Sequence, residues 1–335
     1  MQELFGKYKD QKVYLYTIEN EYLKVKVSSL GATLVSFIDK KLNRDIVLGF
    51  KDADGYINQH GSYLGATVGR CANRIGKGEF TIDGVTYHVP VNAGPNCLHG
   101  GNDNLSYKVY DAEVSDDRVV MHTFSEDNEE GFPGNLSLTI TYRLDGKNLY
   151  YIYEAECDKN SIVNITNHSY FNIDGSASKT ILNQELKVFT DKVALVDENG
   201  LATREVINVT GTGFDFSDYN NIGTNMQIGY KNIESANGYD HNFVYENMND
   251  KIMASIRTSD LMMNIYSDLP GMHIYTANFL DGMCEGKEGN FYGKNNGICF
   301  ECQFYPNSIN YDEFIKPLIM KGEAVKHYIR YELED

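Results

Sequence analysis

Residues 135–155 read NLSLTITYRLDGKNLYYIYEA. Leu136, Leu138, Ile140, Tyr142 and Leu144 alternate with Ser137, Thr139, Thr141 and Arg143. A period of two with apolar residues on one side is the pattern of a half-buried strand, not of a helix. Asp145-Gly146 then separates this run from a second one rich in Tyr and Ile, as a two-residue hairpin turn needing positive φ would. Asp83-Gly84 plays the same part in FTIDGVTYHV (80–89), and YLKVKVSSLGATLVSFI (22–38) adds two strand-like runs around a Ser-Ser-Leu-Gly turn. Helical periodicity is minor throughout, and no linker, low-complexity tract, charge block or internal repeat interrupts the pattern. A long chain of short strands protects its edges by closing into packed sheets. The expected fold is all-β, a large antiparallel two-sheet β-sandwich, with residues 1–335 as a single domain.

Composition agrees. The 335 residues are 42% hydrophobic, with 25 Tyr, 16 Phe, 30 Gly and no Trp, which suits turns and sheets. A formal charge of −17 repels nucleic acid and anionic membranes, so a small neutral ligand is the natural partner. MQELFGKYKDQKVYLYTIEN at the N-terminus lacks a continuous apolar core of signal-peptide kind, and no apolar run reaches membrane-spanning length. A soluble cytoplasmic protein is expected, monomer or homodimer. Cysteines at 71, 97, 157, 284, 299 and 302 are sparse and unlike a disulfide scaffold, so reduced thiols are expected.

Several chemistries find no foothold. GTGFDF at Gly211 lacks the third glycine and the following helix of a phosphate cradle, and there is no G-x-S-x-G nucleophile elbow. CFEC (299–302) matches C-x-x-C, but a structural zinc site wants a second pair. On a strand Cys299 and Cys302 would face opposite ways, and so would the adjacent Asp240 and His241 of YDHNF.

What remains is a set of polar residues in five stretches: GRCANRI, NCLHGG, NITNHSYFNI, GYDHNF and GICFECQFYPNSIN. Read as one strand, NITNHSYFNI (164–173) puts Asn164, Thr166, His168, Tyr170 and Asn172 on one side and Ile165, Phe171 and Ile173 on the other. The polar side is either solvated or lines a ligand cleft. GICFECQF places Cys299, Glu301 and Gln303 on one face, leaving Glu301 at the lip of an apolar sheet. The glycines after His99 allow close approach of backbone to a ligand. Each has a plainer reading: Arg74 as a surface ion pair, His99 as a turn histidine, Asp240 as a turn cap, Glu301 as a solvated edge charge.

Taken in order, DIVLGFKDADGY, GATVGRCANRIGKGEFTIDGVTY, PVNAGPNCLHGG, NEEGFPGNLSLTITYRL, NITNHSYFNI, GYDHNF, YTANFLDG and ECQFYPNSIN resemble the galactose mutarotase (aldose 1-epimerase) family, from about residue 20 to the C-terminus. The resemblance implies a two-sheet sandwich with a sugar cleft and an activity without cofactor or metal. It places the proton donor on His168 and the acceptor on Glu301, and the sugar-hydroxyl ligands on Asn73, Arg74, His99 and Asp240. His273 stands where relatives often hold glutamine, Cys302 where threonine is frequent, and Tyr110 near a common tryptophan.

The chemistry implied is interconversion of α and β anomers of an aldohexose, galactose or glucose. A base takes the C1 hydroxyl proton while an acid protonates the ring oxygen; rotation about C1–C2 and reclosure give the other anomer. Histidine and a carboxylate suit these two tasks. With no Trp, stacking on the sugar falls to Tyr, Phe or His, with Tyr170 the first candidate. Alternatives are a hexose-6-phosphate mutarotase, which would need a further basic cluster, a glycoside hydrolase using Asp240 and Glu301, and a non-catalytic sugar-binding module.

Overall fold

The hairpin anticipated at 135–155 forms from strands Leu136–Asp145 and Asn148–Cys157, paired along their full length. Its apolar face is buried, from Leu136 to Leu144 and from Leu149 to Cys157. The computed structural model describes residues 1–177 and 180–334, without the side chains of 283 and 284, so Cys284 lies outside the described residues. The turn itself is one residue later than Asp145-Gly146: Asp145 pairs with Asn148, and Gly146 opens the turn at φ +57°. Glycine is needed there because the first position carries positive φ while Asp145 stays in the ladder. In the other hairpin Ile82 pairs with Val85, and Asp83 and Gly84 both have positive φ, as expected.

Antiparallel sheets dominate. One has nine strands, running from Asp111–Val114 at one edge through the 136–157 hairpin and Ala324–Glu334 to Asn220–Asn221 at the other. A second has six: Tyr170–Phe171, Ile298–Gln303, Gly271–Tyr275, Asp240–Val244, Lys192–Val196 and Ala202–Asn208. A five-stranded sheet from Gln2–Tyr8 to Arg44–Asp45 packs beside them and contains both strands read at 22–38. Helices are confined to Ala53–Asn58, Ile222–Gln227 and Lys231–Ser235 among the described residues, besides short 3₁₀ turns. One apolar core joins the sheets: Phe171, Met272, Ile274, Phe300 and Cys302 of the six-stranded sheet meet Ile140, Tyr151, Ile265 and Tyr331 of the nine-stranded one. No helix among the described residues is long and apolar enough to cross a membrane.

The stretch 164–173 departs from a single strand. Thr166–Asn167 pairs with Thr67–Val68, the chain leaves the ladder at His168, and Tyr170–Phe171 joins the six-stranded sheet against Ile298 and Cys299. Its polar residues are not one wet face. Asn164 is fully buried, accepting from the Phe304 N–H and donating to the Ala72 carbonyl, and Asn172 donates to the Asn296 carbonyl. Each buried amide satisfies backbone groups of a neighbouring loop, so burial costs little. Of this set only His168 and Tyr170 reach a cavity.

Candidate active site

Strand register builds the floor of the site. Facing residues on adjacent antiparallel strands lie side by side on one face. Glu301 faces His273, which faces Asn242 on the next strand. Two residues along, Tyr170, Cys299, Tyr275 and Asp240 form a parallel row. The opposite face of these strands is the apolar core already described. As read from sequence, Cys299 and Cys302 point to opposite sides, and so do Asp240 and His241: His241 turns to Asn232 and Phe214. The five cysteines described are all unpaired.

Loops supply the walls. Arg74 pairs with Leu98 in a two-residue ladder, and His99 follows at φ +53°. The glycines after it do not make room for a ligand, contrary to expectation. A Cβ on Gly100 would lie 2.2 Å from the Gly69 carbonyl oxygen, and one on Gly101 2.2 Å from a Glu130 carboxylate oxygen. They let protein pack on protein, which brings the 69–75 and 96–101 segments together.

The result is a cavity of about 340 Å³ lined by all eight residues singled out in the sequence: Asn73, Arg74, His99, His168, Tyr170, Asp240, His273 and Glu301. His168 Nε2 lies 3.6 Å from Glu301 Oε1. Glu301 is not at a lip but 2% exposed, with Oε2 unpartnered, and His168 is 5% exposed. Tyr170 is 3% exposed, its hydroxyl donates to the Ser62 carbonyl, and its ring lies 5.2 Å from that of His168. Its ring stands beside the imidazole in the cavity wall. Tyr63, Tyr275 and Phe279 also line the cavity, Phe279 at its mouth with 64% exposure. Tyr275 shares the strand face of His273, a period-two relation present in GMHIY, whereas the places of Tyr63 and Phe279 follow from tertiary packing.

Burial governs the charges. It drives the His168 pKa down to about 4, helped by His273 and opposed by the histidine's own carbonyl. It pushes the Glu301 carboxyl well up, with Asp240 adding and Arg74 opposing. Both shifts oppose charge: burial favours the uncharged imidazole of His168 and the uncharged carboxyl of Glu301 over their ionised forms. Burial also raises Asp240, but the hydrogen bond from His273, with Arg74, outweighs it and holds this carboxyl well below the usual range. His273 Nε2 donates to Asp240 Oδ1 at 2.7 Å. His99 is held neutral by burial first and by His168, Arg74 and His273 next.

Donor atoms of His99, His168 and Glu301 lie within 4.8 Å of one another, the composition of a metal triad. The hydrogen bonding of His99 fits that role badly. Its Nδ1 accepts from the Asn73 N–H at 3.2 Å, so the proton of the neutral ring sits on Nε2, the atom left to face the cavity. That nitrogen donates a hydrogen bond and has no lone pair to offer a cation while the backbone contact stands.

A two-sheet sandwich carrying a buried carboxyl–imidazole pair in a pocket of this size defines an acid–base enzyme of the galactose mutarotase-like fold. The structure of galactose 1-epimerase from Lactobacillus acidophilus superimposes with a TM-score of 0.89 at 28% identity, covering 100% of this chain and 98% of that one. The chain belongs to the aldose 1-epimerase family, whose model matches residues 14–332, and is an isomerase. It is similar to galactose mutarotase of Mus musculus, 38% identical over 93% of this chain and 91% of that one. Aldose 1-epimerase of Escherichia coli K12 is 33% identical over 96% and 95%.

Proposed function

We propose that the chain interconverts the α and β anomers of a free aldohexose, with Glu301 as base toward the C1 hydroxyl and His168 as acid toward the ring oxygen. The observation that carries this is the 3.6 Å approach of His168 Nε2 to Glu301 Oε1 at the floor of the cavity. The reaction needs one proton on the pair, leaving His168 as another arrives on Glu301. With the proton on His168, the carboxylate removes the C1 hydroxyl proton and the imidazolium protonates the ring oxygen, opening the ring. That leaves carboxylic acid and neutral imidazole, the form burial favours, opposite the open aldehyde. Rotation and reversal of both transfers close the other anomer. Arg74, His99 and Asp240 hold sugar hydroxyls, supplying the orientation on which proximity depends.

The full chain works as one unit, since a single core cluster includes residues from Tyr16 to Leu333. A reducing compartment such as the cytoplasm suits five buried, unpaired thiols. The phosphate-ester alternative is disfavoured because Arg74 is the only Lys or Arg among the lining residues, beside Asp240, Asp281 and Glu301. Following the optical rotation of freshly dissolved α-galactose and α-glucose tests the reading: equilibration faster than the buffer rate supports it, and an unaltered drift at micromolar enzyme overturns it.

A further inference from the structure

Asn73 is the residue whose contacts fit a sugar-ligand role least. Its backbone is left-handed, φ +59°, a conformation asparagine tolerates. Its side chain already bonds the protein: Oδ1 accepts from the Arg74 N–H at 2.8 Å, and Nδ2 lies 3.3 Å from His273 Nδ1. The backbone is used as well. The Asn73 carbonyl accepts from the His99 N–H at 3.0 Å, and its own N–H donates to His99 Nδ1 at 3.2 Å.

Three of these contacts dictate where protons sit on two pocket histidines. The Arg74 N–H can only meet an acceptor, which fixes the amide with its oxygen toward Arg74 and its NH₂ toward His273. His273 Nδ1 must then accept, so its proton is on Nε2, where it reaches the acceptor-only carboxylate of Asp240. Through its backbone, Asn73 likewise makes Nδ1 of His99 an acceptor and leaves an N–H on Nε2 toward the cavity.

We infer that Asn73 is a positioning residue that sets the tautomers of His99 and His273, so that the pocket presents an N–H from His99 and the free Oδ2 of Asp240 to the sugar. This rests on the pocket being the sugar site, but its central claim concerns the free protein. His273, at a position where relatives often hold glutamine, acts with Asn73 to orient Asp240.

The test separates the two readings. Long-range ¹H–¹⁵N spectra of the full chain at neutral pH distinguish imidazole tautomers without substrate; His99 and His273 are both expected as Nε2–H. Asn73→Gly keeps the left-handed backbone and its contacts with His99 and removes only the amide. In that variant His99 should stay Nε2–H while His273 becomes a mixture of tautomers. KM for galactose should rise about tenfold, the loss of roughly one oriented hydrogen bond, with kcat little changed. Wild-type His273 or His99 protonated on Nδ1, or an Asn73→Gly spectrum and KM like those of the wild type, would overturn the inference. Correct tautomers in a protein that turns over no sugar would leave it standing and sink the proposed activity instead.

Discussion

His168 Nε2 and Glu301 Oε1 stand 3.6 Å apart inside an interior that leaves neither side chain more than a few per cent exposed. Both are needed at once if protons leave one sugar oxygen as they arrive at another. Glu301→Gln and His168→Asn are each expected to lower kcat by about two orders of magnitude or more. The double variant should be scarcely slower than the worse single one, since groups acting as a unit are not additive. Glu301→Gln should not unfold the protein, because burial disfavours the ionised carboxylate and the amide is an uncharged near isostere. Polarimetry with matched thermal melts checks both halves; a variant that retains wild-type turnover removes that residue from the mechanism.

The same pair sets a pH dependence. The active form carries one proton over the two groups, between the His168 value of about 4 and the raised Glu301 value. Below about 4 the imidazole gains a second proton for the pair and the base is lost. Above the Glu301 value the last proton leaves and the acid is lost. The expected kcat/KM profile falls on acidification through about 4 and falls again on the alkaline side, once the Glu301 proton leaves. A profile rising through the ordinary histidine range near 6.5 would mean that His168 is not titrating from this environment.

Regular strands made part of this site legible in the sequence. Glu301 lies in an unbroken strand, Ile298–Gln303, so alternation alone put it with Cys299 on one face and Phe300 and Cys302 on the other. The stretch 164–173 misled because its asparagines are buried by hydrogen bonds to loops that sequence spacing does not reveal. The same limit hid the difference between two arginines of GRCANRI. Arg74 lines the cavity, whereas Arg70 is 2% exposed and bonds the backbone of the 125–134 segment. Residue type and spacing are alike for both; only the partner segment distinguishes them. His99, Asp240 and Asn73 came from the resemblance, not from periodicity, because they sit in turns and at strand ends.

Charge at the cavity predicts what is rejected. Arg74 is the lone Lys or Arg among lining residues that include Asp240, Asp281 and Glu301. A phosphate dianion entering there would meet carboxylate without a matching cluster of donors. The expected kcat/KM for glucose 6-phosphate is at least about a hundredfold below that for glucose, a penalty of roughly 3 kcal/mol. Polarimetric assays of the two sugars at equal ionic strength decide it, and equal efficiency would require a phosphate contact outside this lining.

Arg70 and Gly100 hold the two cavity-lining loops against the sandwich. The Arg70 guanidinium donates to the carbonyls of Ser125, Glu126, Pro133 and Gly134 and to the Ser125 hydroxyl, at 2.7–3.1 Å. A lysine has the charge but not the planar fork, so it would leave several buried carbonyls unpartnered. Arg70→Lys is expected to lower unfolding stability by about 3 kcal/mol. Gly100, at φ +90°, has no room for a side chain, since a Cβ would sit 2.2 Å from the Gly69 oxygen and 2.7 Å from the Arg70 nitrogen. Gly100→Ala should cost a similar amount, about 3 kcal/mol, and in addition shift His99 enough to raise KM. Urea melts with galactose kinetics on the folded fraction separate these effects: Arg70→Lys should act mainly on stability, Gly100→Ala on both. Melts indistinguishable from wild type for either variant would show that the 69–75 and 96–101 segments are held by other contacts.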